Sequence, residues 1–250
     1  MKFLTALFLV AIGLFAQSFE VATIKPTEPD WTGGRYMTMK GAQFAAKNYE
    51  PRVLLGAAYN LPPSAISGGP AWLDSEHFDV LAKTPGERKP APDEQMSMLR
   101  QLFLDRFQLA FHREPKEFSI YAITVAKGGS KLREPTPTPD GPQPLIFTLA
   151  PGSARLPARN ATVAELAAVM QRTLFNRPVV DRTGLSGRYD FDLEWTPDET
   201  QFGGVIHATP ESTKPDLFAA IQQQLGLRLE STRGPIEAMV IDKIERPSAN

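Results

Sequence analysis

The chain has 250 residues and no cysteine, which excludes thiol redox chemistry and disulfide bonds, so packing alone must stabilise its core. Its 27 basic and 28 acidic side chains are interspersed along the chain and give a net charge of −1. A nucleic-acid-binding protein is expected to show a basic face with interleaved aromatic residues, so this composition argues against nucleic acid as a partner.

The first predicted element is a secretory signal peptide at residues 1–16. Lys2 precedes an apolar run from Phe3 to Ala16, which polar Gln17 and Ser18 follow. This order is typical of a signal peptide, and the run is too short to span a bilayer comfortably. We therefore expect an extracytoplasmic protein, periplasmic or secreted, with no transmembrane span after cleavage. An uncleaved segment that anchors the chain is the alternative.

Residues 17–133 are predicted to form an N-terminal half that contains two helices. The first helix starts at Pro51, and the strand Glu76–Lys83 follows it. The second helix covers Glu94–Phe107, where apolar residues recur at helical spacing. Two strands, QLAFHRE and FSIYAITVAKGG, are then expected to be joined by a turn around Pro115.

A proline-rich linker is predicted at residues 134–144, with prolines at 135, 137, 139, 142 and 144. Proline has no amide hydrogen to donate and favours extended backbone, so regular structure is not expected there. This linker is the best candidate for a boundary between two halves.

Residues 145–250 are predicted to form a C-terminal half with the same kinds of element. Thr162 and Glu165 have the spacing of a capping box at a helix start. A hairpin is expected within Val179–Trp195. Another helix should run from Thr213 to Gly226, followed by two strands with a turn at residues 233–235.

The recurring order of helix, strand and strand on both sides of the linker predicts an α+β fold built from duplicated units. In each half, the helices should pack on a small, mainly antiparallel sheet. We therefore expect two similar halves.

Aspartates Asp190 and Asp192 are the main candidates for chemistry. They alternate with apolar residues in YDFDLEW, which indicates a strand with one buried face and one solvated face. Strand geometry places them about 7 Å apart, a separation compatible with a general acid and base or a hard-cation site. The interpretation preferred from the pattern is a solvated row of carboxylates.

The other candidate residues are isolated in sequence. His77, His112 and His207 show no metal-ligand spacing, and no nucleophile, base or cofactor motif is found, so neither a metal nor a cofactor is expected. His207 lies in a loop and should be the most accessible histidine. Trp72 and Trp31 occupy loops rich in glycine and proline, where an indole either packs on the core or contacts a partner.

Several segments together resemble a large family of secreted proteins of unknown function that is abundant in soil bacteria. The segments are FEVATIKP, SGGPAWLDSEHFDVLAK, LFLDRFQLAFHREPKEFSIYAITVAKGGSKL, RPVVDRTGLSGRYDFDLEWTPD and LFAAIQQQLGLRLESTRGPIEAMVIDKIERPSAN. Related domains in that family are attached to membrane-bound sensor metallopeptidases, which implies sensing or interaction. The unit LFAAIQQQLGLRLESTRGPIEAMVID is also similar to the short N-terminal domain of secretins and TonB-dependent receptors, where such modules mediate protein contacts.

These observations favour an exported, non-enzymatic binding or interaction module, such as a ligand-sensing or protein-contact domain of the cell envelope. Its partner would be an envelope protein or a small extracellular ligand. The contact candidates are Trp72, Trp31, His207, Asp190 and Asp192. The alternative is an extracytoplasmic hydrolase of a cell-wall or extracellular polymer, which needs two of the ionisable candidates to converge in one pocket.

Overall fold

The structure is a computed structural model that describes residues 18–137, 145–204 and 213–247. Helices and small, mainly antiparallel sheets make an α+β fold, as the sequence predicts. The predicted signal peptide at 1–16 and most of the proline-rich segment lie outside the described residues. Within the described ranges, every helix is too short or too polar to span a bilayer.

The first half of the chain forms a four-stranded antiparallel sheet with helices beside it. Its elements are β1 (Val21–Pro26), β2 (Tyr36–Lys40), β3 (Gln43–Tyr49), α1 (Pro51–Tyr59), β4 (Ile66–Gly68), α2 (Trp72–Ser75), β5 (Phe78–Lys83), α3 (Pro92–Arg106) and β6 (Ala110–Val125). The strand order in this sheet is β1-β5-β3-β2. The predicted helices at Pro51 and Glu94–Phe107 are therefore confirmed within a few residues, because apolar spacing marks a helix even where its ends are uncertain.

The second half forms a three-stranded antiparallel sheet, ordered β10-β8-β7, with two helices. Its elements are β7 (Thr148–Ala150), β8 (Ser153–Ala161), α4 (Val163–Thr173), β9 (Val179–Asp181), β10 (Tyr189–Trp195), α5 (Leu217–Ala220), a π-helical turn (Ile221–Leu225) and β11 (Leu227–Lys243). The capping box is confirmed: the Glu165 amide donates to Thr162 Oγ1 at 3.0 Å, and the Thr162 amide donates to Glu165 Oε2 at 2.7 Å. The last helix begins later than predicted, because Asp216 caps it through the Ala219 amide.

A third sheet, ordered β4-β11-β6-β9, contains strands from both halves. Strands β6 and β11 pair antiparallel along nearly their whole length, and short β4 and β9 add in parallel at opposite ends of this ribbon. One end of β11 supplies Met239 and Ile241 to the core of the first half, and its other end supplies Leu227 and Leu229 to the core of the second. The ribbon thus joins the two hydrophobic cores.

The turns predicted around Pro115 and at residues 233–235 are wrong, because β6 and β11 each run through their proline as one strand. Pro115 lies opposite Glu237, and Pro235 lies opposite Glu117. At both positions the other edge of the strand has no partner among the described strands, since β9 pairs only with residues 121–123 of β6 and β4 only with residues 239–241 of β11. A proline is tolerated where its missing amide hydrogen faces such an open edge.

The hairpin predicted within Val179–Trp195 is also wrong. Strand β9 pairs with β6, and β10 pairs with β8 in a different sheet. Alternation in sequence tells which residues share a face, but it does not select the neighbouring strand.

The two halves nevertheless follow the same path. Apart from the short helix α2, which lies between β4 and β5, the order β3-α1-β4-β5-α3-β6 in the first half recurs as β8-α4-β9-β10-α5-β11 in the second. In the first half, β3 before α1 pairs with β5 before α3; in the second half, β8 before α4 pairs with β10, which precedes α5. The short strand of each half adds to the long strand of the other half, so the halves are interlocked.

Candidate functional site

Asp190 is not part of a solvated row. It is only 5% exposed, and its carboxylate accepts hydrogen bonds from the Asn160 amide at 2.8 Å and the Thr136 amide at 2.9 Å. The backbone amides of Thr136 and Asn160 hold the pKa of Asp190 below its usual value. The burial arises because strand pairing is irregular between Tyr189 and Phe191, which breaks the simple alternation of faces.

Asp192 lies on the same strand but among arginines. Its carboxylate is 3.1 Å from Arg155, 3.1 Å from Arg159 and 3.5 Å from Arg133. Three guanidinium groups share this one half-buried carboxylate. Charge-assisted hydrogen bonds from Arg155 and Arg159 hold this carboxylate in place.

The first half contains a counterpart of the Asp190 arrangement. Asp79 on β5 is 8% exposed and accepts hydrogen bonds from Lys47 Nζ at 2.6 Å, Thr27 Oγ1 at 2.7 Å and the Asn48 amide at 3.2 Å. Burial raises the pKa of Asp79, but these three donors outweigh burial and lower it below its ordinary value.

In each half, the amide that binds the buried aspartate belongs to an asparagine with left-handed backbone. Asn48 has φ 61° and Asn160 has φ 55°, and each lies two residues before the N-cap of a helix. Asparagine tolerates this conformation better than most residues. In each half, the buried aspartate therefore stabilises the turn between a strand and the helix that follows it.

The two tryptophans differ in burial. Trp72 is 8% exposed, its ring stacks on Phe107 with centroids 6.4 Å apart, and the Arg246 guanidinium covers it. Trp31 is 36% exposed, and Lys47 Nζ lies 4.4 Å from the centroid of its ring. Trp31 also lines a depression of about 390 Å³, whereas Trp72 belongs to the core of the first half.

The histidines are dispersed. His77 lines the same depression as Trp31. His112 lies exposed on β6, with Nε2 3.1 Å from Glu114 Oε1 and Nδ1 2.8 Å from Asp242 Oδ1, and hydrogen bonds to Glu114 and Asp242 raise its pKa. His207 lies outside the described residues. Among the described residues, no three acidic, histidine or cysteine side chains gather in a way that could hold a metal ion.

A larger cavity, of about 690 Å³, lies between the end of α4, strand β6, the segment after β10 and the loop before β2. Sequence reasoning did not identify it. We call it the arginine cleft; its lining residues are Arg35, Tyr121, Arg172, Thr173, Leu174, Phe175, Asn176, Arg177, Glu199, Thr200, Phe202, Gly203 and Gly204.

The arginines of the cleft differ in their partners. Arg35 forms an ion pair with Glu50 at 2.9 Å. Arg177 lies over the Tyr121 ring, 4.7 Å from its centroid, and donates to Ser231 Oγ at 3.3 Å. Arg172 makes one long hydrogen bond, 3.5 Å, to Asn60 Oδ1. In the described part of the chain, neither Arg172 nor Arg177 has a carboxylate within ion-pair distance.

Arg172 is exposed to solvent, but the protein atoms around its guanidinium displace part of its hydration shell. Burial lowers the pKa of its guanidinium, and the negative charge of Asp93 opposes this effect only in part. An arginine pKa is lowered when the charged guanidinium loses more hydration energy than neighbouring polar and charged groups give back.

The segment 199–204, which forms one side of the cleft, contains residues with left-handed backbone and one buried polar side chain. Phe202, Gly203 and Gly204 all have positive φ, and for Phe202, at φ 51°, this conformation costs about 1–3 kcal/mol. Gln201 beside it is fully buried; its Oε1 accepts a hydrogen bond from Trp195 Nε1 at 2.7 Å, while its Nε2 has no hydrogen-bond partner among the described residues. Strained backbone and unsatisfied polar atoms are tolerated more often at functional sites than elsewhere.

A family model described as protein of unknown function (DUF3738) matches residues 52–244. No curated protein and no solved structure matches the chain. The resemblance to a family of unknown function is thus confirmed. Its abundance in soil bacteria, and the similarity of one unit to the N-terminal domain of secretins, stay predictions.

Proposed function

We propose that this chain, which belongs to the DUF3738 family, is an exported binding module whose ligand site is the arginine cleft. The single observation that carries the proposal is that one cavity combines an aromatic wall with two guanidinium groups that have no carboxylate partner among the described residues. Concave sites of about 300–1,000 Å³ with apolar walls and a few polar groups are the usual form of small-molecule pockets.

The position of the cleft also supports a binding role. Its lining comes from four separate stretches of the chain, including Arg35 from the first half and residues 172–177 from the second. Ligand sites often form where structural units meet, because a ligand there contacts both. Binding would then stabilise the two halves together, which suits a sensing domain.

The alternative partner, an envelope protein, would contact a convex or flat surface instead. Among the predicted contact residues that the structure describes, Trp31 is the exposed one, but it lines the smaller depression rather than a flat surface. We favour a small extracellular ligand, because the cleft is the larger concavity and holds the arginines that lack carboxylate partners.

The export part of the proposal rests on the signal-like segment 1–16. Expression of the full chain in its host with a C-terminal tag, followed by fractionation, tests it. We expect the tag outside the cytoplasm, on a product shortened by about the length of a signal peptide. A full-length cytoplasmic product would overturn this part.

The ligand site is tested by blocking it. Asn176→Trp places a large side chain into the cleft, and Thr148→Trp places the same side chain on the exposed edge strand β7 as a matched control. Each purified protein is incubated with concentrated culture medium, and the retained small molecules are identified by mass spectrometry. We expect the wild type and Thr148→Trp to retain the same compound and Asn176→Trp to lose it. Equal retention by all three proteins would refute the cleft as the site.

A further inference from the structure

We infer that the arginine cleft selects a small organic oxyanion, a carboxylate or phosphate, that is attached to a flat apolar group. This inference rests on the proposed binding function and adds the chemical class of the ligand. It follows from the charge, the shape and the aromatic content of the cavity.

The charge of the cleft calls for an anion. Arg172 and Arg177 are both cationic, and their partners in the described part of the chain are neutral side-chain oxygens and an aromatic ring. Arg35 is balanced by Glu50, so it adds little net charge. Glu199 is the one acidic residue among the lining residues that the structure describes. A guanidinium binds a carboxylate or phosphate most favourably, because such a group can accept two parallel hydrogen bonds from it.

The remaining wall of the cleft is aromatic. The rings of Tyr121 and Phe175 are 4.3 Å apart between centroids and inclined by 38°, and Phe202 also lines the cavity. Arg177 lies over the Tyr121 ring, so a cation adjoins the aromatic side chains. A flat apolar group beside Tyr121 would place an attached oxyanion near this guanidinium.

The same observations argue against a long polyanion. The chain has a net charge of −1, so it lacks the positive field that attracts nucleic acids or acidic polymers over a distance. Two arginines in a cavity of about 690 Å³ match one anionic group on a small molecule.

The test is isothermal titration of the folded protein with four probes: phenyl phosphate, benzoate, inorganic phosphate and uncharged phenol. We expect phenyl phosphate or benzoate to bind at least about tenfold more tightly than phenol, because only the anions use the guanidinium groups. The two aromatic anions distinguish a phosphate ligand from a carboxylate ligand. Inorganic phosphate should bind more weakly than phenyl phosphate, since it cannot use the aromatic wall.

Three variants assign the effect to the cleft. Arg172→Met and Arg177→Met should each weaken anion binding about tenfold or more, while Arg233→Met, which removes an exposed arginine on β11, should not change it. Arg177→Lys keeps the charge but loses the paired donors and should bind with intermediate affinity. Circular dichroism confirms that each variant is folded, and the lysine variant keeps the test decisive if a methionine variant fails to fold.

The outcomes separate this inference from the proposed function. If phenol binds as tightly as the anions and Asn176→Trp abolishes both, the binding function stands and the selection of an anion is refuted. Equal affinity for inorganic phosphate and phenyl phosphate would refute the inference that the ligand carries a flat apolar group. If no probe binds at millimolar concentration, the ligand class is wrong, whereas the proposed function fails only when the blocked cleft still retains the compound from the medium.

Discussion

Replacing Asp190 by alanine should destabilise the protein by about 2–4 kcal/mol. Its carboxylate accepts hydrogen bonds from the backbone amides of Thr136 and Asn160, and the substitution removes the acceptor of both. Loss of a hydrogen bond to a charged group costs about 1.5–3 kcal/mol, which applies to the half-buried Asn160 amide. Thr136 is exposed, so water replaces much of the hydrogen bond made by its amide. Losing this bond therefore adds only up to about 1 kcal/mol.

Urea unfolding followed by tryptophan fluorescence at neutral pH measures this change as a difference in the free energy of unfolding. Asp30→Ala is the matched control, because Asp30 is exposed. The pKa of Asp190 is lowered in the folded protein, so its contribution is present above the unfolded pKa and is lost as pH falls through the folded pKa. The wild type and Asp190→Ala should therefore converge in stability in acid. If Asp190→Ala costs no more than Asp30→Ala at neutral pH, the structural role assigned to this carboxylate is wrong.

Other substitutions test the core, a helix cap and one charged histidine. Trp72→Ala should lower the free energy of unfolding by about 3–5 kcal/mol, as a large cavity in the core does, whereas Trp31→Ala should cost less than about 1 kcal/mol; similar losses by urea unfolding would contradict their different burial. Thr162→Ala removes the side-chain cap of α4 and should cost about 1 kcal/mol in the same assay, and no change would show that the cap is dispensable. The pKa of His112 is raised by its two carboxylate neighbours, so its contribution is full below the unfolded pKa and lost as pH rises through the folded pKa. His112→Ala should therefore destabilise the chain more at acidic pH than at alkaline pH, and NMR titration should give a His112 pKa above the ordinary value; an ordinary or lower value refutes the pairing.

Local features of the structure could be predicted from the sequence because their causes are local. The helices at Pro51 and Glu94–Phe107 follow from apolar spacing, and the cap at Thr162 follows from a glutamate three residues later. The same holds for the strand Tyr189–Trp195 and the helix end at Gly226, which has left-handed backbone. Each depends on residues within a few positions of one another.

The repeated order of elements was visible in the sequence as a pattern, but the exchange of short strands was not. Nothing near Ile66–Gly68 or Val179–Asp181 indicates that each of these strands pairs with the long strand of the other half. Pro115 is a typical turn residue, so its local sequence predicts a turn. It is tolerated within β6 because the distant strand β9 pairs only with residues 121–123 and does not reach it. Strand pairing depends on long-range packing, which a local pattern does not encode.

The sequence by itself determined the absence of disulfides, the balanced charge, the α+β class and the location of most helices, since composition and periodicity act through nearby residues. The tertiary structure alone decided that Asp190 is buried and that Arg35, Tyr121 and Arg172 line one cavity. The physical reason is that burial and convergence depend on which distant segments pack together. The hydrophobic effect and strand pairing bring together segments that are more than a hundred residues apart in the chain. The sequence next to each residue that lines the cleft does not indicate this long-range packing.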